Sequence, residues 1–324
     1  SFFILEVKFL RLLTEVLSPA APAGLRTWLR ALRLHQWIKN LLVFVPLLTA
    51  HLALDPQAIG RSTLAFLAFG LCASSVYLLN DLLDLPADRA HPRKRMRPFA
   101  AGQLSLLAGL ALAPVLLAAA FALALATLPE RFVLALAAYY LLTLAYSLAL
   151  KRVEMLDVVV LAALYTARIV AGAFAIEVAL SFWLLAFSMF LFLSLALVKR
   201  YTELAVMHDH GRREAAGRGY RTDDLPMLGA LGAAAGYLAV LVLALYINSA
   251  NSEALYGQPK ALWLLCPLLL YWISRVWLLT QRGRMHDDPL LFAVRDPVSL
   301  AVLALGLATV LAAVACVGII EMFK

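Results

Sequence analysis

Asn80, Asp81, Asp84 and Asp88 close a long apolar run, and five cations, Arg89, Arg93, Lys94, Arg95 and Arg97, follow at once. The stretch reads NDLLDLPADRAHPRKRMRP, residues 80–98. On a continuous helix the i, i+4, i+8 spacing of Asn80, Asp84 and Asp88 would put them on one face. Pro86 argues against continuity, because it pushes Leu85 out of the α region. Asn80, Asp81 and Asp84 are therefore expected on the last turns of a helix, and Asp88 on a turn or a new short helix. Carboxylates at a helix C-terminus oppose the helix dipole and repel one another. A bound divalent cation explains such a cluster most simply. Mg²⁺ suits it: hard oxygen ligands, few protein carboxylates, and remaining positions filled by water and phosphate oxygens. The cations, Lys94 and Arg97 among them, would then face those phosphates. The alternative is a solvated acidic turn followed by cations that merely fix membrane orientation.

The elements carrying these residues are membrane spans. Of the 324 residues, 64% are hydrophobic and 15% charged, with a mean hydropathy of +0.86, too apolar for a soluble domain of this size. Nine candidate spans can be drawn, roughly at 37–55, 60–80, 104–127, 131–150, 155–176, 180–198, 226–248, 261–280 and 297–321. The loops sort by charge. The N-terminal segment through Lys39 and the loops 81–103, 151–154, 199–225 and 281–296 hold 22 Lys and Arg, whereas the alternate set holds 4. This bias predicts that the N-terminus and the basic loops are cytoplasmic and that the C-terminus lies outside. The net charge of +8 thus reflects orientation, and nothing resembles an aromatic and basic nucleic-acid motif. The expected organisation is a cytoplasmic or interfacial segment, 1–35, and one all-α integral-membrane domain, 36–324. The opening residues, SFFILEVKFLRLLTEVL, make a poor signal peptide and suit an amphipathic surface helix.

Further polar residues stand out against this apolar background. Lys199, Arg200 and Glu203 follow the sixth span, with Glu203 one helical turn beyond Lys199. Gln36, Lys39 and Asn40 cluster where the first span begins; they could hold a phosphate, or Lys39 could simply snorkel to the interface. Asp157 and Arg168 lie inside the fifth span, where ionisable residues are functional candidates by default. They share a face and either pair or point one member into a cavity. Tyr146 ends the fourth span as an interface aromatic or a ligand. His208, Asp209 and His210 have metal-like types but sit in a long charged loop. Cys72, Cys266 and Cys316 lie in apolar runs without metal spacing and read as small buried hydrophobes. The run GALGAAAG, 229–236, offers close helix packing.

The Asn80-Asp81-x-x-Asp84-x-x-x-Asp88 pattern, at the cytoplasmic end of the second of nine spans, resembles the UbiA superfamily of intramembrane prenyltransferases. The resemblance runs from about residue 30 to the end. It implies a nine-helix bundle around a central cavity open to the cytoplasm. Ordinary members carry a second Asp-rich motif after the sixth span. Here that place reads LVKRYTELAVMHDHGRREAAGRGY, with Lys199, Arg200 and Glu203 instead of a row of aspartates. The stretches RLHQWIKNLLVF, DRAHPRKRMRP, LAYSLALKRVEMLDV, ARIVAGAFA and VKRYTEL are closer to one branch, the decaprenyl-phosphate phosphoribosyltransferases.

That branch implies a Mg²⁺-dependent transfer of 5-phosphoribose from phosphoribosyl pyrophosphate (PRPP) to a polyprenyl phosphate, releasing pyrophosphate, and a product that feeds a cell-envelope sugar donor. The nucleophile, a lipid phosphate oxygen, is already anionic, so positioning and charge shielding matter more than a general base. On this resemblance Asn80, Asp84 and Asp88 hold the metal and, through it, the donor pyrophosphate, with Asp81 either a direct ligand or a residue behind the ligands. Lys94 and Arg97 contact donor phosphates, and Lys199 and Arg200 bind the ribose 5-phosphate or the acceptor phosphate. Glu203 orients Lys199 or bonds ribose hydroxyls, and Gln36, Lys39 and Asn40 hold the lipid phosphate. Tyr146 and Arg168 are further substrate candidates. The rivals are an ordinary prenyltransferase acting on a lipophilic acceptor, which the missing second Asp motif argues against, and a transporter, for which internal repeats would be expected and are not found. A homo-oligomer is compatible with the sequence, which points to no interface.

Overall fold

A computed structural model describes residues 24–90, 94–209, 219–285 and 288–322. The chain divides into two units, one of residues 1–147 and 167–179, the other of 148–166 and 180–324.

In the first unit, α1 (Leu25–Ala31) leads through Arg33, in the left-handed conformation (φ 52°), into a 3₁₀ helix, Leu34–Phe44, and then α2 (Val45–Thr49). Next come α3 (Pro56–Leu83), α4 (Leu85–Ala90), α5 (Leu106–Thr127) and α6 (Glu130–Leu148). The second half of α7 (Leu156–Ala175) completes the unit. Asp55 caps α3 by accepting from the Gln57 N–H at 2.9 Å, and Pro56 occupies its first turn, where a missing N–H costs nothing. The buried face of α3 is rich in small residues, among them Ala65, Ala68, Gly70, Ala73, Ser74 and Ser75. Close approaches follow from that. The Ser75 hydroxyl reaches the Ala113 carbonyl of α5 at 2.7 Å, and the Trp37 indole lies where a Cβ on Gly70 would come within 2.7 Å of it.

In the second unit, α7 begins at Leu156, and α8 (Phe182–Asp209) packs along α9 (Leu225–Ile247). Then follow α10 (Ala250–Leu255), a 3₁₀ turn Pro259–Leu264, α11 (Leu265–Gln281), α12 (Pro289–Ala293) and α13 (Pro297–Met322). The glycine run works as expected: Gly232 lies beneath the Trp277 ring, and Gly236 against Ile273. The Ser194 hydroxyl donates to the Gly232 carbonyl at 2.6 Å and accepts from the Trp277 indole N–H at 3.0 Å.

Among the described residues, eight helices are long and apolar enough to cross a bilayer. The expected first span, 37–55, is the exception to the drawing of nine. Pro46 has no N–H to give the Leu42 carbonyl, and the Val45 N–H takes that carbonyl in 3₁₀ register. The segment is a 3₁₀ helix joined to one short α-helix, and Pro46 accounts for the register of its last turn. At about 2.0 Å per 3₁₀ residue and 1.5 Å per α residue, the pair covers roughly 30 Å.

Candidate active site

The acidic motif is broken as expected, but at Asp84 rather than at Leu85: α4 begins at Leu85, and Pro86 occupies its first turn, where its missing N–H costs nothing. Asn80 and Asp81 lie on the last turn of α3, Asp84 is its C-cap, and Asp88 sits in the first turn of α4. Asn80 and Asp84 are half-buried, whereas Asp81 is 1% and Asp88 2% exposed. The two buried carboxylates are held by arginines. Arg33 pairs through Nη2 with Asp81 Oδ1 and stacks over the Tyr77 ring, 5.2 Å from its centroid. Arg97 spans both acids, its Nη1 lying 3.2 Å from Asp81 Oδ1 and 2.7 Å from Asp88 Oδ2. Lys94 is exposed in the 3₁₀ turn Lys94–Met96. His91, Pro92 and Arg93 lie outside the described residues.

The donor types fit a hard divalent cation. Asn80 and Asp84 offer oxygens four residues apart at a helix end, with Asp88 following. Among the described residues no three His, Cys, Asp or Glu side chains converge into a closed cage. Asn80 and Asp84 are half-buried, and Asp88 pairs with Arg97.

A second polar centre lies deeper in the same unit. Arg168, buried on α7, donates from Nε to Asn40 Oδ1 at 3.0 Å and from Nη2 to the Tyr139 hydroxyl at 2.7 Å; its guanidinium also stacks on the Tyr139 ring at 4.8 Å. Asn40 is 1% exposed and its Nδ2 has no partner among the described residues, an orphaned donor in an apolar setting. Gln36 and Lys39 are half-buried on the same 3₁₀ helix. Tyr146 is half-buried on α6. An apolar groove of about 560 Å³, lined by Tyr139, opens between Leu134, Ala138 and Leu142 of α6 and Val170 and Phe174 of α7.

The second unit carries a buried ion-pair network. Arg200 of α8, 1% exposed, pairs with Asp157, which is fully buried at the start of α7, and with Glu203 one turn on. The Tyr220 hydroxyl donates to Asp157 Oδ1 and accepts from the Met155 N–H at 2.7 Å, while the Tyr220 ring lies 5.6 Å from the Arg200 guanidinium. Burial first, and then the bond to the Asp157 carboxylate, push the Tyr220 hydroxyl well above its ordinary range. Glu203 keeps its carboxylate partly exposed, and Lys199 is half-buried. His208 is exposed, and His210 lies outside the described residues.

The sequence-predicted residues thus fall into three groups. Asp157 and Arg168, weighed as a pair, each take another partner; eleven residues of α-helix separate them by about 16 Å. Arg33, Tyr139 and Tyr220 were not singled out from the sequence. Their partners are 48, 29 and 63 residues away, beyond any local pattern, and only the αL position of Arg33 hints at a special backbone.

These features define an all-helical intramembrane protein with a Mg²⁺-compatible, arginine-braced acidic motif at the end of a span. The comparisons with known proteins place it more closely. Residues 42–295 match the UbiA prenyltransferase family, and the chain belongs to that family. It is 41% identical over 286 residues to the uncharacterized protein y4nM of Sinorhizobium fredii, covering 88% of this chain but only 55% of that protein. It is 39% identical over 292 residues to the nodulation protein NoeC of Azorhizobium caulinodans, covering 89% of this chain and 93% of that one. It is 37% identical over 189 residues to the decaprenyl-phosphate phosphoribosyltransferase of Mycolicibacterium smegmatis, covering 57% of this chain and 59% of that one. The fold matches a UbiA homolog from Archaeoglobus fulgidus bound to DMAPP and Mg²⁺, with a TM-score of 0.63 at 18% identity over 87% of this chain and 98% of that one.

Proposed function

We propose that this membrane protein is a Mg²⁺-dependent phosphoribosyltransferase that moves 5-phosphoribose from PRPP to a polyprenyl phosphate. A phosphate oxygen of the lipid forms a bond to the anomeric carbon as the bond from that carbon to pyrophosphate breaks, so the electron pair leaves with pyrophosphate and no net proton moves. Magnesium, when bound by Asn80, Asp84 and Asp88, supplies charge neutralisation on the leaving group. Lys94 and Arg97 contribute cationic donors to the same phosphates. Arg168, Asn40, Gln36 and Lys39 provide positive and polar groups for the lipid phosphate, and the groove beside Tyr139 takes the tail. Lys199 and Glu203 bind the ribose phosphate and hydroxyls, with Arg200 as the residue that holds Glu203.

The observation carrying this reading over ordinary prenyl transfer is Arg200. Where a second set of metal-binding aspartates would be expected, the helix turns in a guanidinium tied to Asp157 and Glu203. The mycobacterial relative's name supports the same transferred group and acceptor, and the 22 to 4 distribution of Lys and Arg supports a cytoplasmic donor site, the soluble side for PRPP. That distribution alternates only if the segment around 34–49 crosses the bilayer as a ninth span, which its length of roughly 30 Å permits. The alternative, prenyl transfer from a prenyl diphosphate, is favoured by the DMAPP-bound homolog of the same fold.

The test is transfer of label from PRPP to a polyprenyl phosphate in detergent with Mg²⁺, beside Asp84→Asn. Labelled lipid with wild type, lost with the variant and with EDTA, is the expected result. Prenylation of an aromatic acceptor from a prenyl diphosphate, with no labelled lipid, would overturn the phosphoribosyl reading.

A further inference from the structure

Two arginines converge on one buried carboxylate oxygen at the mouth of the metal motif. Arg33 Nη2 and Arg97 Nη1 both approach Asp81 Oδ1, and Asp81 is 1% exposed. Guanidinium groups repel one another, and the carboxylate that both contact offsets that repulsion. Each guanidinium carries five N–H donors in a fixed fork. Among the described residues Arg33 spends one nitrogen on Asp81 and lays its face on Tyr77, and Arg97 spends one nitrogen on Asp81 and Asp88. The remaining donors of both find no protein acceptor among the described residues, and the two side chains remain 22% and 29% exposed. Arg33 is fixed from the backbone too: a non-glycine residue in αL at the joint between α1 and the 3₁₀ helix is an uncommon conformation, held here by its side-chain partners.

We infer that Asp81 is a positioning residue rather than a metal ligand, and that Arg33 and Arg97, pinned by it, form a two-guanidinium clamp for the pyrophosphate group of the donor. The inference rests on the reading that this end of α3 binds a Mg²⁺-diphosphate. The clamp separates the roles within the motif. Asn80 and Asp84 are half-buried at the helix end, and Asp81 faces inward to the arginines. Planar guanidinium forks match phosphate oxygens in pairs, which a lysine at position 33 does not reproduce.

The experiment measures binding of inorganic pyrophosphate with Mg²⁺ to the purified full chain in detergent, by calorimetry, for wild type, Arg33→Gln, Arg33→Lys and Asp81→Asn. Pyrophosphate is the leaving group in phosphoribosyl and prenyl transfer alike, so this result is independent of which donor the enzyme uses. Arg33→Gln is expected to weaken pyrophosphate binding roughly tenfold to a hundredfold, the loss of a charge-assisted interaction. Arg33→Lys should recover only part of it. The Mg²⁺ concentration giving half-maximal binding should stay at the wild-type value in all variants. Asp81→Asn should follow Arg33→Gln; because it removes the buried charge that both arginines share, its fold is checked by gel filtration, and Arg33→Gln decides alone if it fails. Wild-type pyrophosphate affinity in Arg33→Gln would overturn the clamp, and a raised Mg²⁺ requirement in folded Asp81→Asn would make Asp81 a metal ligand instead.

Discussion

Replacing Arg200 with methionine separates a structural cation from a chemical one. The side chain is 1% exposed and its main partner, Asp157, is fully buried. Met keeps most of the aliphatic volume and removes the charge. Asp157 then remains as an uncompensated buried carboxylate with the Tyr220 hydroxyl still donating to it. Breaking one side of a buried pair costs about 3–5 kcal/mol, and the retained tyrosine bond argues for the lower end, about 3 kcal/mol. At about 2–4 °C per kcal/mol, the thermal midpoint should fall by on the order of 10 °C. Cys72 and Cys266 are free and buried, so a thiol-reactive fluorophore in detergent reports the unfolding directly. Adding Asp157→Leu to Arg200→Met removes the stranded charge and should restore most of the loss, because an apolar replacement of a whole buried pair is often neutral or better. A single variant that melts like wild type while losing transfer activity would refute the reasoning. Arg200 would then act on substrate, not on the position of Glu203.

Other outcomes follow from the packing and the charges. Gly172→Ala puts a methyl group into the backbone carbonyl of Val43, where the 3₁₀ helix meets α7; overpacking of this kind should cost about 1–3 kcal/mol, seen as a lower midpoint in the same thiol assay. Arg275 holds Asp296 through two bonds, at 2.7 and 2.9 Å, and keeps its carboxyl below the usual range. A depressed folded pKa gives stability that is present above the unfolded value near 3.9 and is lost as pH falls below it, so the wild-type midpoint should decline below about pH 4. Asp296→Asn should start from a lower midpoint at neutral pH and show a shallower acid decline; an identical acid profile would remove Asp296 from the account.

The parts of the site legible in the sequence were those written within one or two helical turns. The spacing of Asn80, Asp84 and Asp88, with Pro86 between them, was enough to place a helix end, a break and a second short helix, and α3 and α4 follow that pattern. The Lys199, Arg200 and Glu203 turn was visible for the same reason, as was the small-residue face of α9. The first span was not. Hydropathy reports how apolar a segment is and not whether its hydrogen bonds close over three residues or four, so only Pro46 carried a trace of the 3₁₀ register.

Roles failed to be legible where partners are brought together by tertiary packing. Asp81 looks like its neighbours in the motif, one carboxylate among three. What distinguishes it is Arg33, 48 residues earlier, and burial that no local pattern announces. Arg200 likewise reads as a phosphate-binding cation until Asp157 and Tyr220 are found beside it, and Arg168 as the mate of Asp157 until Asn40 and Tyr139 take its donors. In each case a charge inside an apolar protein must be matched by a partner supplied from a distant element. The sequence therefore marks where charges enter the membrane domain, but which of them remain available to a substrate depends on which the fold has already paired. By that criterion Asp81 and Arg200 hold other groups in place, Asp81 the side chains of Arg33 and Arg97 and Arg200 the carboxylate of Glu203.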